Sequence, residues 1–341
     1  IFSGNGSSVA SSFTPNNDGT FVFGASGGTL TFNGGLTTTS VDGTVTLNGT
    51  IATSDDAVVL GAVTLGSATI IDTDRGGALT IGAVTGGSNA LTLNDLANCA
   101  CNGAISGVST LTIGDIAGGI GSGANFSGAV NVTTLEVNEV NDVQFNSTVN
   151  ATTITLEDFT NADGGLFGRV SFNGNLTVGT FSTDTSEMTV EILGSSNTFS
   201  QRATFRNSGN INLGSTGATD SFTFNGGLTD SSVSSGTFFR IAGSFASSND
   251  TIVIDDVLVR ANTTIDTNAT DNTGDITLGT ITTDNGSRTL TLSTGNNIAG
   301  ADITASGNIS GVTTLPLADV GGTATLSGDV DVTELTVGNT V

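Results

Sequence analysis

The chain has 341 residues, among them 49 Gly, 18 Phe, 2 Pro and 2 Cys but no His, Trp or Tyr; its cationic side chains are seven arginines set against 31 carboxylates, for a formal net charge of −24. Without His or Lys there is no Ser-His-Asp or Cys-His machinery, no Schiff-base lysine, no P-loop and no imidazole metal site. Such an acidic chain, with Arg75, Arg169, Arg202, Arg206, Arg240, Arg260 and Arg288 scattered along it, is excluded from binding nucleic acid or an anionic membrane by charge.

No stretch approaches 18 consecutive apolar residues, so no transmembrane helix is expected. The start, Ile1-Phe2-Ser3-Gly4, has neither a charged n-region nor a hydrophobic h-region, which suggests a removed leader or a piece of a longer chain. At 36% hydrophobic residues the chain is too apolar for an ordinary acidic disordered segment, and its glycine excess points to a repeat.

The first predicted elements follow a four-residue beat of apolar, Thr, apolar, then Gly or Asn. It runs through Val45-Thr46-Leu47-Asn48, Val63-Thr64-Leu65-Gly66, Leu79-Thr80-Ile81-Gly82, Leu91-Thr92-Leu93-Asn94, Leu111-Thr112-Ile113-Gly114 and Leu176-Thr177-Val178-Gly179, with variants at Leu135 and Ile154. The period-2 alternation predicts short half-buried strands with Thr outward, each ended by a residue that accepts a positive φ. From position 45 to 176, seven steps cover 131 residues, a mean period of about 19 and hence about 18 coils for the chain. Short strands, corners and that period predict an all-β, parallel β-solenoid in which no coil is stable alone. Phe126, Phe145 and Phe172, each preceding a comparable apolar pair, are expected to form an interior column.

A longer repeat overlies the short one. Residues 31–37, Thr-Phe-Asn-Gly-Gly-Leu-Thr, recur unchanged at 223–229, with Ser40-Val41 recurring in step at Ser232-Val233. Residues 103–111 return in related form at 307–315, and 127–133 at 327–333. The offsets of 192, 204 and 200 define a module of roughly 200 residues: 1–200 is a first copy and 201–341 a second, incomplete one, in one continuous rod.

Glycine-punctuated, Thr/Asn-rich segments such as Gly274-Asp275-Ile276-Thr277-Leu278-Gly279 and Asn296-Asn297-Ile298-Ala299-Gly300-Ala301-Asp302-Ile303 resemble the β-helical repeats of secreted bacterial surface proteins, of the filamentous-haemagglutinin and autotransporter-passenger types. The resemblance covers nearly the whole chain and is compositional. It implies a right-handed parallel β-helix, an extracellular or cell-surface location and an adhesive or structural role.

Candidate sites are few. Asp55-Asp56, Asp72 with Asp74, and Asp255-Asp256 are carboxylate pairs of the kind glycosidases use, but neighbouring strand residues face opposite ways and no Tyr or Trp platform for a sugar exists, so no enzyme activity is expected. Asp271-Asn272-Thr273-Gly274-Asp275 and Asp284-Asn285-Gly286 are oxygen-rich, glycine-turned corners of the character that calcium prefers; neither follows the spaced EF-hand loop, and corner duty accounts for them without a metal. No cofactor is expected, and divalent cations enter as screening partners of the net charge.

Cys99-Ala100-Cys101 has no cysteine counterpart near 298–303, so it is expected outside the repeating core, as a loop disulfide, as free thiols or as an interchain bridge. The Asn-x-Ser/Thr triplets, including those at Asn131, Asn146, Asn150, Asn175 and Asn262, are no more frequent than composition alone gives. The absence of Lys removes isopeptide crosslinks and most tryptic sites, and the Asp excess suits a saline milieu. The reading that follows is an extracellular filament, sheath or adhesive fibre built by head-to-tail stacking of coils; the alternative is a rigid passenger stalk that displays a binding tip encoded elsewhere.

Overall fold

The computed structural model describes residues 1–116, 123–157, 168–216, 219–231, 238–284, 287–295 and 300–338. Among them every assigned element is a β-strand or bridge, and every strand pairing given is parallel. The strands stack as a β-solenoid of about 14 turns spaced by about 22 residues. Contacts divide the chain into two compact units, Ile1–Gly174 and Asn175–Val341. Each is described by itself.

In the first unit the turns pair along three faces, the first two often carried by one continuous strand such as Val45–Ala52 or Ile105–Ile116. On the first face, Val45 pairs with Val63, Val63 with Val84, Val84 with Ile105, Ile105 with Val130 and Val130 with Val149. On the second, Leu91 pairs with Leu111, Leu111 with Leu135 and Leu135 with Ile154. On the third, Val58 pairs with Leu79, Leu79 with Cys99, Cys99 with Ala124 and Ala124 with Val143.

This arrangement corrects the 19-residue coil. The beat at Leu79 belongs to the third face, whereas those at Val63 and Leu91 belong to the first and second. Counting each beat as one turn therefore counted the turn that carries both Val63 and Leu79 twice and shortened the period. The true offset between stacked residues varies from 18, Val45 to Val63, to 28, Ile281 to Ile309. Corners absorb the difference while the strand registers hold.

Burial follows the alternation that the beat predicts. Val45–Ala52 alternates buried and half-buried without a break, and Leu91–Asn94 does the same. The β-branched Thr residues stand outward, where they pack well on a pleated surface. Phe126, Phe145 and Phe172 form the expected interior column: successive rings lie 4.8 and 5.0 Å apart at 21° and 8°, in register. Outside, side-chain amides form ladders of their own, Asn173 donating to Asn146 at 2.7 Å and Asn146 to Asn125 at 3.0 Å.

The second unit repeats the three-face plan. Ile211 pairs with Phe239, Phe239 with Val257 and Val257 with Ile281; on another face Leu228 pairs with Ile252, Ile252 with Ile276 and Ile276 with Ile303. Its interior also carries stacked phenylalanines. Phe222 stacks on Phe245 at 4.8 Å and 4°, and Phe199 on Phe224 at 4.7 Å and 18°.

The unchanged heptapeptide makes the same corner in both units. Asn33 and Asn225 each donate a backbone bond of 2.8 Å to the turn below, to Val9 and Phe199. Gly35 and Gly227 each donate 3.0 Å to the residue three back, Phe32 and Phe224. Their φ values, +86° and +84°, require glycine. The preceding glycines are needed for space: a Cβ at Gly34 would lie 2.3 Å from the Ser12 nitrogen, and one at Gly226 2.4 Å from that of Arg202. Ser232-Val233, the recurrence of Ser40-Val41, lies outside the described residues.

Candidate functional site

The carboxylate pairs are corner residues. Asp55 and Asp74 adopt φ of +65° and +53°, left-handed conformations that Asp tolerates better than most residues because its short side chain bonds locally. Asp72 accepts the Asp74 backbone N–H at 3.0 Å, closing such a turn. Asp56 supplies its carbonyl to the inward hydroxyl of Thr53 at 2.6 Å. Each member of these pairs thus has a backbone task.

Asp255 is different in its electrostatics. Partial burial, followed by the nearby charges of Asp256 and Asp230, pushes its carboxyl above the usual carboxylate range, and its backbone N–H donates to Asp230 at 3.2 Å. Arg240, whose guanidinium is lowered by burial and then by Arg260, lies in register with Leu258, three residues along from Asp255.

The oxygen-rich corners make hydrogen bonds of their own. Asp271 accepts the Thr273 backbone N–H at 2.9 Å, the Thr273 hydroxyl at 2.7 Å and the Asn249 amide at 3.1 Å, and these bonds lower its carboxyl. Asp275 accepts the Asp302 backbone N–H at 2.8 Å, one turn on. Asp284 pairs with Arg288 at 3.2 Å; Asn285-Gly286 lies outside the described residues. Among the described residues no group of three or more Cys, Asp or Glu is placed to hold a metal.

A corner device escaped the sequence pattern. An inward hydroxyl at the end of a second-face strand bonds a carbonyl of the loop that follows: Thr53 to Asp56, Thr73 to Gly77 at 2.5 Å, Ser247 to Asp250 at 2.5 Å and Thr267 to Gly274 at 2.5 Å. All four side chains are nearly or wholly buried. The available signal was a Ser or Thr followed within two residues by a positive-φ Asp or Asn: Asp55, Asp74, Asn249 and Asn268.

The cysteine expectation is corrected. Cys99 and Cys101 lie on a strand, Asn98–Cys101, whose half-buried and buried residues alternate, and both face the interior at 2% and 0% exposure. They occupy core positions between Leu79 and Ile81 on one side and Ala124 and Phe126 on the other. The equivalent strand of the second unit, Ile303–Ala305, carries Ile303 and Ala305 there, reached from Cys99 and Cys101 by the offset of 204. Both cysteines are free thiols with Sγ atoms 2.9 Å apart, and burial raises the Cys101 thiol well above its usual range. Buried so deeply, they have no route to an interchain bridge.

One ion pair stands out for its burial. Arg169 makes two bonds to Asp142, 2.9 and 3.1 Å, and Gln144 donates to the same carboxylate at 2.9 Å; Asp142 is 1% exposed. Bidentate geometry and a third donor are what a buried carboxylate needs. The residues pair in register on adjacent strands, so this is a lateral clasp of the stack.

The remaining candidate is the surface of the last described turn. Strand Glu334–Gly338 pairs on one side with Val312–Ala318, and Leu335 and Val337 stack on Leu315 and Leu317. Those lower residues are buried, but Leu335 and Val337 are 46% and 70% exposed, and Val330 39%. At the first turns, Phe2, Phe13, Phe21, Phe23 and Phe32 form one aromatic cluster with centroids 4.4 to 6.2 Å apart, of which Phe2, Phe13 and Phe21 remain half-buried.

No protein-family model matches the chain, and comparison with curated proteins and with solved structures finds no match.

Proposed function

We propose that the chain is a structural protein of an extracellular filament, sheath or adhesive fibre, which assembles head-to-tail by stacking the first turn of one copy on the last described turn of another. The observation that supports this reading is the stack itself: buried columns pass from turn to turn in parallel register, as from Leu315 to Leu335 and from Leu317 to Val337, and among the described residues Leu335, Val337 and Val330 keep apolar side chains exposed. An open strand edge also presents backbone donors and acceptors in the geometry of the next parallel strand. Stacking of this kind is heterologous and does not close, so it generates fibres.

Charge favours the pairing. The first seventeen residues carry no charged side chain, whereas the last turn carries Asp329, Asp331 and Glu334, so no like charges oppose. The first turn offers Phe2, Val9 and Phe13, all half-buried, as the apolar counterpart. The compositional resemblance to secreted surface proteins supports the extracellular part of the reading.

Sedimentation velocity across a concentration series tests it. The wild-type chain is expected to form growing end-to-end species, and Leu335→Asp/Val337→Asp to remain monomeric. Ile70→Asp, at a site 40% exposed on a lateral face, is expected to behave as wild type. A wild-type chain that stays monomeric at every concentration overturns the assembly reading and favours the passenger stalk; loss of assembly on Ile70→Asp also overturns it.

A further inference from the structure

Cys99 and Cys101 are the feature that neither the fold's repeat nor the proposed assembly uses. Their strand places both side chains on one face two residues apart, and the two sulfur atoms already lie 2.9 Å from each other. Residues i and i+2 of an extended strand sit near the upper limit of the Cα separation a disulfide spans. The local geometry therefore brings together the two atoms that would bond, without help from a neighbouring turn.

Access runs the other way. In the folded unit the thiols are 2% and 0% exposed, covered below by Leu79 and Ile81 and above by Ala124 and Phe126. A disulfide reagent must reach a sulfur in line, and only the thiolate attacks. Burial denies the first and disfavours the second. Before the turn carrying Ala124 and Phe126 is laid down, however, the strand is open.

We propose that Cys99 and Cys101 form an intrastrand disulfide during folding in an oxidising compartment, and that closure of the next turn then locks whichever redox state the pair holds. The oxidant is a disulfide, of a small molecule or a protein. The Cys99 thiolate attacks it, forming a mixed disulfide and releasing one thiol; the Cys101 thiolate then attacks the Cys99 sulfur, forming the Cys99–Cys101 bond and releasing the second. Two electrons and two protons leave the pair, and the oxidant's disulfide becomes two thiols. Because the loop so closed is minimal, little chain entropy is removed and the bond serves as a record of the folding compartment more than as a staple. This inference is independent of head-to-tail assembly.

The test uses the whole chain. It is unfolded and reduced, then refolded with a mixture of oxidised and reduced glutathione, denatured in the presence of an alkylating agent and weighed intact. The expected product carries no alkyl group and has lost two hydrogen masses. A parallel sample, folded first under reductant and then given the same couple, is expected to keep both thiols and take up two alkyl groups. Cys99→Ser is expected never to lose two hydrogens. Two alkyl groups, a retained glutathione or a covalent dimer in the first sample overturns the disulfide; oxidation of the pre-folded sample as complete as that of the first overturns the lock.

Discussion

The two copies of Thr-Phe-Asn-Gly-Gly-Leu-Thr and the two versions of the third-face strand teach opposite lessons. At 31–37 and 223–229 the corner's backbone bonds have the same lengths, although the chain beneath is Ser11-Ser12 in one unit and Gln201-Arg202 in the other. At 99–101 and 303–305 the pairing plan is kept while Cys-Ala-Cys gives way to Ile-Thr-Ala. Corners are set by φ and by the approach of one backbone to the next, which only particular residues satisfy. Strand interiors need only apolar volume of about the right size.

The largest expected effects come from the phenylalanine that each heptapeptide sends inside. Phe224→Ala should cost about 3–5 kcal/mol in denaturant unfolding, since the ring is fully buried and stacked on Phe199. Phe32→Ala should cost less, because its neighbours Phe2 and Phe13 are only half-buried and free to collapse into the space. Equal losses would break that distinction.

Gly34→Ala and Gly226→Ala sharpen the comparison further. Each puts a methyl group against backbone of the turn below, so each should lose about 1–3 kcal/mol, and the two losses should match. A tolerated substitution in one unit alone would show that the corners are not equivalent. Exchanging core residues should matter less: Cys99→Ile/Cys101→Ala, which imports the second unit's side chains, should change stability under reductant by less than about 1.5 kcal/mol. A larger loss would mean that the interiors are not interchangeable.

The smallest effect is electrostatic. The raised carboxyl of Asp255 means that its ionised form opposes folding, so stability falls as pH rises through the carboxylate range. Asp255→Asn should therefore raise the Tm slightly at neutral pH and leave it unchanged in acid, where both side chains are neutral. The reverse sign holds at Asp271, whose lowered carboxyl contributes stability above its unfolded value that is lost as pH falls; Asp271→Asn should lower the Tm only at neutral pH.

The solenoid was legible in the sequence because its signal is local: Val45-Thr46-Leu47 alternates with period 2 wherever it occurs, and Phe126, Phe145 and Phe172 repeat at matched points. The turn length was not, because the same beat serves more than one face. Leu79 and Leu91 look alike as sequence and differ only in which neighbours they meet, Cys99 or Leu111. The cysteines were misplaced for a related reason. Comparison by residue type sought cysteine in the second copy, whereas the core position tolerates Ile303 and Ala305. The inward hydroxyls of Thr53, Thr73, Ser247 and Thr267 were hidden by the many outward Thr residues around them.

Cryo-electron microscopy of the purified chain at high concentration addresses assembly most directly. Stacking of the first turn on 324–338 predicts unbranched fibres whose strands lie across the axis with a continuous spacing of about 4.8 Å, unbroken at the junction between copies. Discrete particles, or fibres in which that spacing is interrupted at each junction, would contradict it.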